Sequence, residues 1–247
     1  SQSGFYTILT DEGDQVTARI RGRLKKERSE TTIIAVGDRV QWQDLERGGP
    51  MIEEVLPRKR ALSRLKPLAS GRGSRRWDRQ GYLREREQVI IANPDQVVFV
   101  LACAEPEPRL RMLDRLLVGA ERQNIPALIC VNKIDLVGIE EAQRLFETYG
   151  EIGYTVIYTS ARTGENIELL RDALKDKISG LVGPSGVGKT SLLNAMEEDL
   201  GHRVREVSEA TGKGKHTTRV TQLVPLDVGG WVADTPGIRA LALFDLE

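Results

Sequence analysis

Cysteine is almost missing from this 247-residue chain, with Cys103 and Cys130 its only two. Both fall in apolar runs, Val97–Ala104 and Ala127–Val131, and read as buried structural thiols rather than a disulfide. The two histidines lie far from them in sequence, so no zinc-ligand set can be assembled. No apolar run approaches the roughly 20 residues a membrane helix needs. Ser1–Leu9 has no basic start followed by an apolar stretch. The expectation is a cytoplasmic enzyme with no membrane partner. Net charge is also absent, with 36 basic residues against 36 acidic. That balance hides an asymmetry. Residues 1–88 hold 19 Lys/Arg against 13 Asp/Glu, and the remainder holds 17 against 23. Arg58–Arg86 alone carries 11 basic residues and two acidic ones, Asp78 and Glu85. Taken alone, such a run is a solvated basic loop or a surface facing nucleic acid.

What is present divides into two rhythms. Phe5–Leu9, Gln15–Leu24, Thr31–Ala35, Arg39–Gln43, Met51–Val55 and Ala61–Leu65 are short, often β-branched runs separated by Gly, Asp and Pro. They fit a small all-β barrel of the oligonucleotide-binding (OB) type over residues 1–88. Pro67–Gly81 reads as a loop rich in Gly, Ser and Arg, and nearby Trp77 and Tyr82 can stack on bases or anchor the loop. From Val89 strands and helices alternate. Gln96–Ala104 is a continuous apolar run, as in a parallel strand buried on both faces. Helix Leu110–Gln123, strand Ala127–Val131, helix Ile139–Tyr149, strand Thr155–Thr159 and helix Asn166–Lys175 follow. Strand Ile178–Val182, helix Lys189–Met196, and strands Val220–Leu226 and Trp231–Asp234 complete a doubly wound α/β domain over residues 89–247.

Three motifs fall at strand ends of that domain. Gly183-Pro184-Ser185-Gly186-Val187-Gly188-Lys189-Thr190 fits G-x-x-x-x-G-K-[ST] between a strand and a helix. Its glycines let successive N–H groups turn toward phosphate oxygens, Lys189 reaches the β- and γ-phosphates, and the Thr190 hydroxyl can ligate Mg²⁺. Asn132-Lys133-Ile134-Asp135 fits N-K-x-D. A carboxylate at Asp135 can accept from N1–H and the exocyclic amine of guanine, donors that adenine lacks there. The Asn132 amide can meet the other edge of the base, and the Lys133 stem can lie along the ring. Thr159-Ser160-Ala161 ends the next strand, where the Ala161 N–H can face guanine O6. Asp234-Thr235-Pro236-Gly237 fits D-x-x-G, with Asp234 toward Mg²⁺ through water and the Gly237 N–H toward the γ-phosphate. Between them, Ala210–Val220 (ATGKGKHTTRV) is a basic, glycine-bearing switch segment offering Thr217 or Thr218 as a further Mg²⁺ ligand. Ile238 follows Gly237, where Ras-type GTPases place a water-orienting glutamine. Intrinsic hydrolysis should therefore be slow. His216 is either a solvated loop histidine or the group that orients water in its place. The motif order is permuted, because ordinary GTPases carry the phosphate loop first.

With that order, the β-rich start and GKGKHTT, the chain resembles the ribosome small subunit-dependent GTPase A family. Ala92-Asn93-Pro94-Asp95 is similar to its A-N-x-D, and Gly186–Asn194, with Ser191 in it, to its phosphate-loop motif. The resemblance implies a monomeric circularly permuted P-loop GTPase with an N-terminal OB-like barrel. It implies GTP or GDP with Mg²⁺ as ligands, and the small ribosomal subunit and its rRNA as partners. Such a protein binds the subunit late in maturation, is stimulated by it and leaves after hydrolysis. The resemblance also turns Arg58–Arg86 toward an RNA contact and puts His216 in catalysis. The family's C-terminal zinc domain, with three cysteines and a histidine, has no counterpart after Gly237 in this sequence, so zinc is not assigned. A rival reading is an RNA-binding module with nucleotide as a structural or regulatory ligand. An ATP-dependent phosphotransferase is a third, and Asp135 argues against it.

Overall fold

The computed structural model of the chain describes residues 4–22, 24, 33–45, 48–66, 86–204 and 223–234. Its N-terminal part is a four-stranded sheet of β1 (Phe5–Leu9), β2 (Gln15–Ile20), β3 (Val40–Leu45) and β4 (Gly49–Val55), ordered β1-β2-β4-β3. Alternation decides which face is covered. Ile8, Ala18, Ile20, Ile52 and Val55 point into one small core with Leu24, while Phe5 and Leu9 stay exposed. Strand β2 ends at Ile20, short of the expected Leu24, because the chain turns there and Leu24 N–H donates to Arg21 O at 3.1 Å. The strand expected over Thr31–Ala35 is not formed at residues 33–35. There the Asp38 carboxylate accepts the Ala35 N–H at 2.7 Å and folds the segment into a turn. Arg58 grips the same carboxylate through Nε and Nη2, both at 2.7 Å, and the Asp38 side chain is 1% exposed.

A two-stranded antiparallel ribbon comes next, β5 (Ala61–Lys66) with β6 (Arg86–Ala92). Strand β6 has no counterpart among the expected elements. Leu62 and Ile91, one from each strand, are fully buried in the core of the following sheet. Ser63 ties the ribbon to the next helix by donating its N–H (2.9 Å) and hydroxyl (3.2 Å) to Gln123 Oε1.

The large sheet has β7 (Gln96–Ala102), β8 (Ala127–Asn132), β9 (Thr155–Tyr158), β10 (Ile178–Val182), β11 (Val224–Pro225) and β12 (Trp231–Asp234), ordered β11-β12-β10-β7-β8-β9. All neighbours run parallel except the β11 edge. Helices α1 (Leu110–Arg122) and α2 (Ile139–Glu151) cover one face, and α3 (Ile167–Leu174) and α4 (Lys189–Met196) the other. Strand β7 supplies both cores by alternation: Val97, Phe99 and Leu101 meet α1 and α2, and Val98, Val100 and Ala102 meet α3 and α4. The helices form on their apolar spacing, as Leu113, Leu116, Leu117 and Ala120 of α1 show. Each of these leucines contributes about 1.5–3 kcal/mol when fully buried. Among the described residues no helix is long and apolar enough to cross a membrane. The carboxyl ends of β8, β9, β10 and β12 carry the motif residues, where open α/β sheets bind ligands.

Candidate nucleotide site

The phosphate loop leaves β10 at Gly183, pressed so closely on β7 that a Cβ there would collide with Val100 O. Only glycine permits that approach. Val187 drops its side chain into the α3–α4 core and is 1% exposed, which pins the middle of the loop. Gly188 then takes φ +94° as the cap residue of α4 and brings no side chain to the helix start. No side chain caps the helix, whose start is the kind of place that takes an anion. Lys189 Nζ folds back over the loop and donates to Gly183 O at 2.8 Å and Pro184 O at 3.0 Å. Ser185 and Gly186 stand exposed at the tip, as does Ser191 in the first turn of α4, while Thr190 is half-buried.

The base-reading loops meet this loop through one side chain. Asn132 ends β8 and is 1% exposed. Its Nδ2 donates to Val187 O at 2.9 Å, and its Oδ1 accepts from Ala161 N–H at 3.1 Å. Thus Asn132 binds three loops together. A Cβ on Gly188 would collide with Asn132 Nδ2, so the two motifs fit only with glycine there. The sequence places the Asn132 amide and the Ala161 N–H on the base, whereas in the structure they bond to each other.

Lys133 sits in the left-handed region at φ +68°, and its Nζ donates to Glu105 O. The Cys103 thiol donates to Lys133 O at 3.0 Å and contacts Asn132 O at 3.4 Å. Burial pushes that thiol above its ordinary pKa and keeps it a protonated donor. Asp135 is held by the Ser160 hydroxyl, which donates to Oδ1 at 2.6 Å, and its side chain is 12% exposed. Arg162 lies 3.7 Å from Oδ2 but is 80% exposed, so that pair fixes little. A carboxylate accepts about four hydrogen bonds in all, leaving capacity for two donors from a base.

Register sets Asp234 opposite Leu181, one strand from the phosphate loop. His216, Thr217, Thr218 and Gly237 lie outside the described residues, as do Trp77, Tyr82 and all of Pro67–Gly81 and Ala210–Val220. Three positions were missed by sequence reasoning. Cys103 gave no signal beyond burial. Asn194 and Gly201 brace Thr190: Gly201 N–H donates to Asn194 Oδ1 at 2.7 Å, and a Cβ on Gly201 would collide with Thr190 O.

Phosphate loop, base loops and permuted strand order thus form one continuous site. Family models agree with it along the chain: RsgA GTPase matches residues 76–244 and RsgA N-terminal domain residues 1–52. The chain belongs to the RsgA GTPase family. It is accordingly a GTPase, and guanine nucleotide is its ligand class. The Gemmatimonas aurantiaca relative, named small ribosomal subunit biogenesis GTPase RsgA, is 42% identical over 246 residues, covering 99% of this chain and 76% of the relative. The Moorella thermoacetica relative of the same name is 40% identical over 240 residues, covering 97% and 73%. Among solved structures, YjeQ from Thermotoga maritima superposes with a TM-score of 0.69 at 32% identity, covering 96% of this chain and 72% of that one. YloQ, described as a circularly permuted GTPase, gives 0.67 at 27% identity, covering 100% and 72%. The RsgA fold was therefore legible from the permuted motifs.

Proposed function

We propose that this RsgA-family protein hydrolyses GTP on the small ribosomal subunit during its biogenesis, and that hydrolysis times its release. The observation that carries the reading is the Asn132 link, which joins a guanine-type loop to a phosphate-type loop in one buried site. The relatives' names supply the subunit as partner. Residues 1–88, with the basic run Arg58–Arg86, face the rRNA, and residues 89–247 carry the hydrolytic site. The protein works in the cytoplasm as a monomer.

In this reading Asp135 accepts from guanine N1–H and the 2-amino group, with Ser160 fixing its orientation. Lys133 lies along the ring, and the second N–H of Asn132 remains for the base edge. Backbone N–H groups from Ser185 to Ser191 hold the phosphates, and Lys189 exchanges its loop carbonyls for phosphate oxygens. The oxygen donors at hand, a hydroxyl at Thr190 and a carboxylate at the end of β12, are of the kind Mg²⁺ takes. Thr190, Asp234 and one of Thr217 and Thr218 would hold that ion, which neutralises charge on the β- and γ-phosphates. Gly237 N–H senses the γ-phosphate, and His216 orients the attacking water.

Phosphate release measured with GTP and with ATP, each with and without purified small subunits, tests the reading. Hydrolysis of GTP alone, rising at least tenfold on subunits, is expected. Unchanged rates on subunits would sink it.

A further inference from the structure

Ala92 ends β6 and three residues, Asn93-Pro94-Asp95, connect it to β7; the nucleotide site uses none of the four. On one side they hold the N-terminal sheet. Ala92 N–H donates to Val36 O at 2.7 Å, and Asn93 Nδ2 donates to Gly37 O at 3.1 Å. Asn93 Oδ1 accepts the Lys59 N–H at 2.8 Å. Gly37, at φ +86°, has no room for a Cβ against Ala92 O, so this contact is closely fitted. On the other side the joint holds the root of β10. Asp95 N–H donates to Ile178 O at 2.9 Å, and Asp95 Oδ2 accepts the Ile178 N–H at 2.8 Å.

The grip continues along the strand. Gln96 Nε2 donates to Ser179 Oγ at 3.0 Å. A Cβ at Gly180 would stand 3.0 Å from Ile91 Cδ1 and 3.4 Å from Leu62 Cδ2, so the ribbon lies directly on the strand. Residues 178, 179 and 180 of β10 are thus each held by the joint, the residue after it or the ribbon. Two residues beyond Val182's neighbour Leu181, the chain enters the phosphate loop at Gly183. Ile178 and Gly183 are five residues apart, about 16 Å in an extended strand.

We propose that Asn93 and Asp95 are positioning residues through which a load on the N-terminal sheet reaches the phosphate loop along β10. Asn93 takes the load from Gly37 and Lys59, and Asp95 delivers it to Ile178. This rests on the reading that subunit binding stimulates hydrolysis, and names the route of that stimulation. A displacement of about 1 Å at a reacting centre costs on the order of a hundredfold in rate, so a small shift suffices. Without the subunit, the pairing of β10 with β7 and β12 holds the loop unaided, and basal hydrolysis does not need the joint.

The test compares Asn93→Gly, Asp95→Ala, Asp95→Asn and the double variant Asn93→Gly/Asp95→Ala. Asn93 has φ +51°, which glycine adopts without strain, and Asp95 is exposed, so two independent variants are expected to fold. Basal and subunit-stimulated kcat and KM, GDP affinity and co-sedimentation with small subunits are measured for each. Asn93→Gly and Asp95→Ala should keep basal rate, GDP affinity and co-sedimentation within about twofold. Their stimulated kcat should fall at least tenfold at unchanged KM. Asp95→Asn retains an acceptor oxygen for Ile178 N–H and should restore stimulation, and the double variant should lose no more than either single one. Full stimulation in both single variants, a parallel fall of basal and stimulated rates, or loss of co-sedimentation would each overturn the proposal. A wild-type chain that subunits do not stimulate would instead remove the functional reading beneath it, and the relay with it.

Discussion

Strand β7 is buried at all seven of its residues, whereas β1 buries only Ile8 among its five. The first is walled by helices on both faces and the second has one face open. A strand covered on both sides holds its carboxyl end still, which a site needs if loops from β8, β9 and β10 are to share one asparagine. A strand with an open face offers surface for a partner. Rigidity and accessibility are thus divided between two sheets, and the joint at Asn93–Asp95 reconciles them.

The contrast can be broken most severely at Phe99, which is 0% exposed. Phe99→Ala should cost about 3–5 kcal/mol, read as a lower midpoint in urea unfolding; a loss under about 1 kcal/mol would contradict the two-sided core. Next comes Asn132→Ala, which leaves Val187 O and Ala161 N–H without their partner in a buried site. At about 1–3 kcal/mol per orphaned group, GDP affinity should fall roughly a hundredfold by titration with a fluorescent analogue.

A third effect is confined to alkaline solution. Burial pushes the Cys130 thiol up to about 12 from its ordinary 9.0, against a smaller opposing hydrogen bond from Thr159. The native state therefore keeps a proton that the unfolded chain releases. This stabilising contribution is whole below about pH 9 and is lost as pH rises toward 12. Cys130→Ala should flatten that alkaline decline in unfolding midpoints, and the native thiol should resist alkylation at pH 8. The smallest effect belongs to the open face. Phe5 is 40% exposed and lies under the Arg19 guanidinium at 4.9 Å. Phe5→Ala should cost at most about 1 kcal/mol of stability, and a Phe99-like loss would mean that this face is covered after all.

How much of this was legible follows from where each signal lives. The run at Gln96–Ala102 announced a two-sided strand because burial on both faces leaves no polar alternation. The motifs announced the ligand because phosphate and guanine demand particular atoms at particular spacings. Strand β6 stayed hidden because it starts in the charged Arg86-Glu87 and its register with β5 slips between Leu62 and Ser63. Residues 33–35 looked like the end of a strand because what turns them, the Asp38 carboxylate held by Arg58, acts across 20 residues. The bond from Asn132 to Val187 O stayed hidden because nothing local reveals a partner 55 residues on.

Permutation also sets an order of manufacture. Strands β7, β8 and β9 are adjacent both in the chain and in the sheet, so the guanine-reading side can assemble as a parallel trio as soon as it has been translated. The phosphate strand β10 follows β9 by about twenty residues, a delay of roughly 1–4 s at usual synthesis rates. It must then dock onto β7 on the side away from β8, in a slot that Leu62 and Ile91 already line. Base recognition is therefore built first, and the hydrolytic half is cast against a template that the ribbon has prepared.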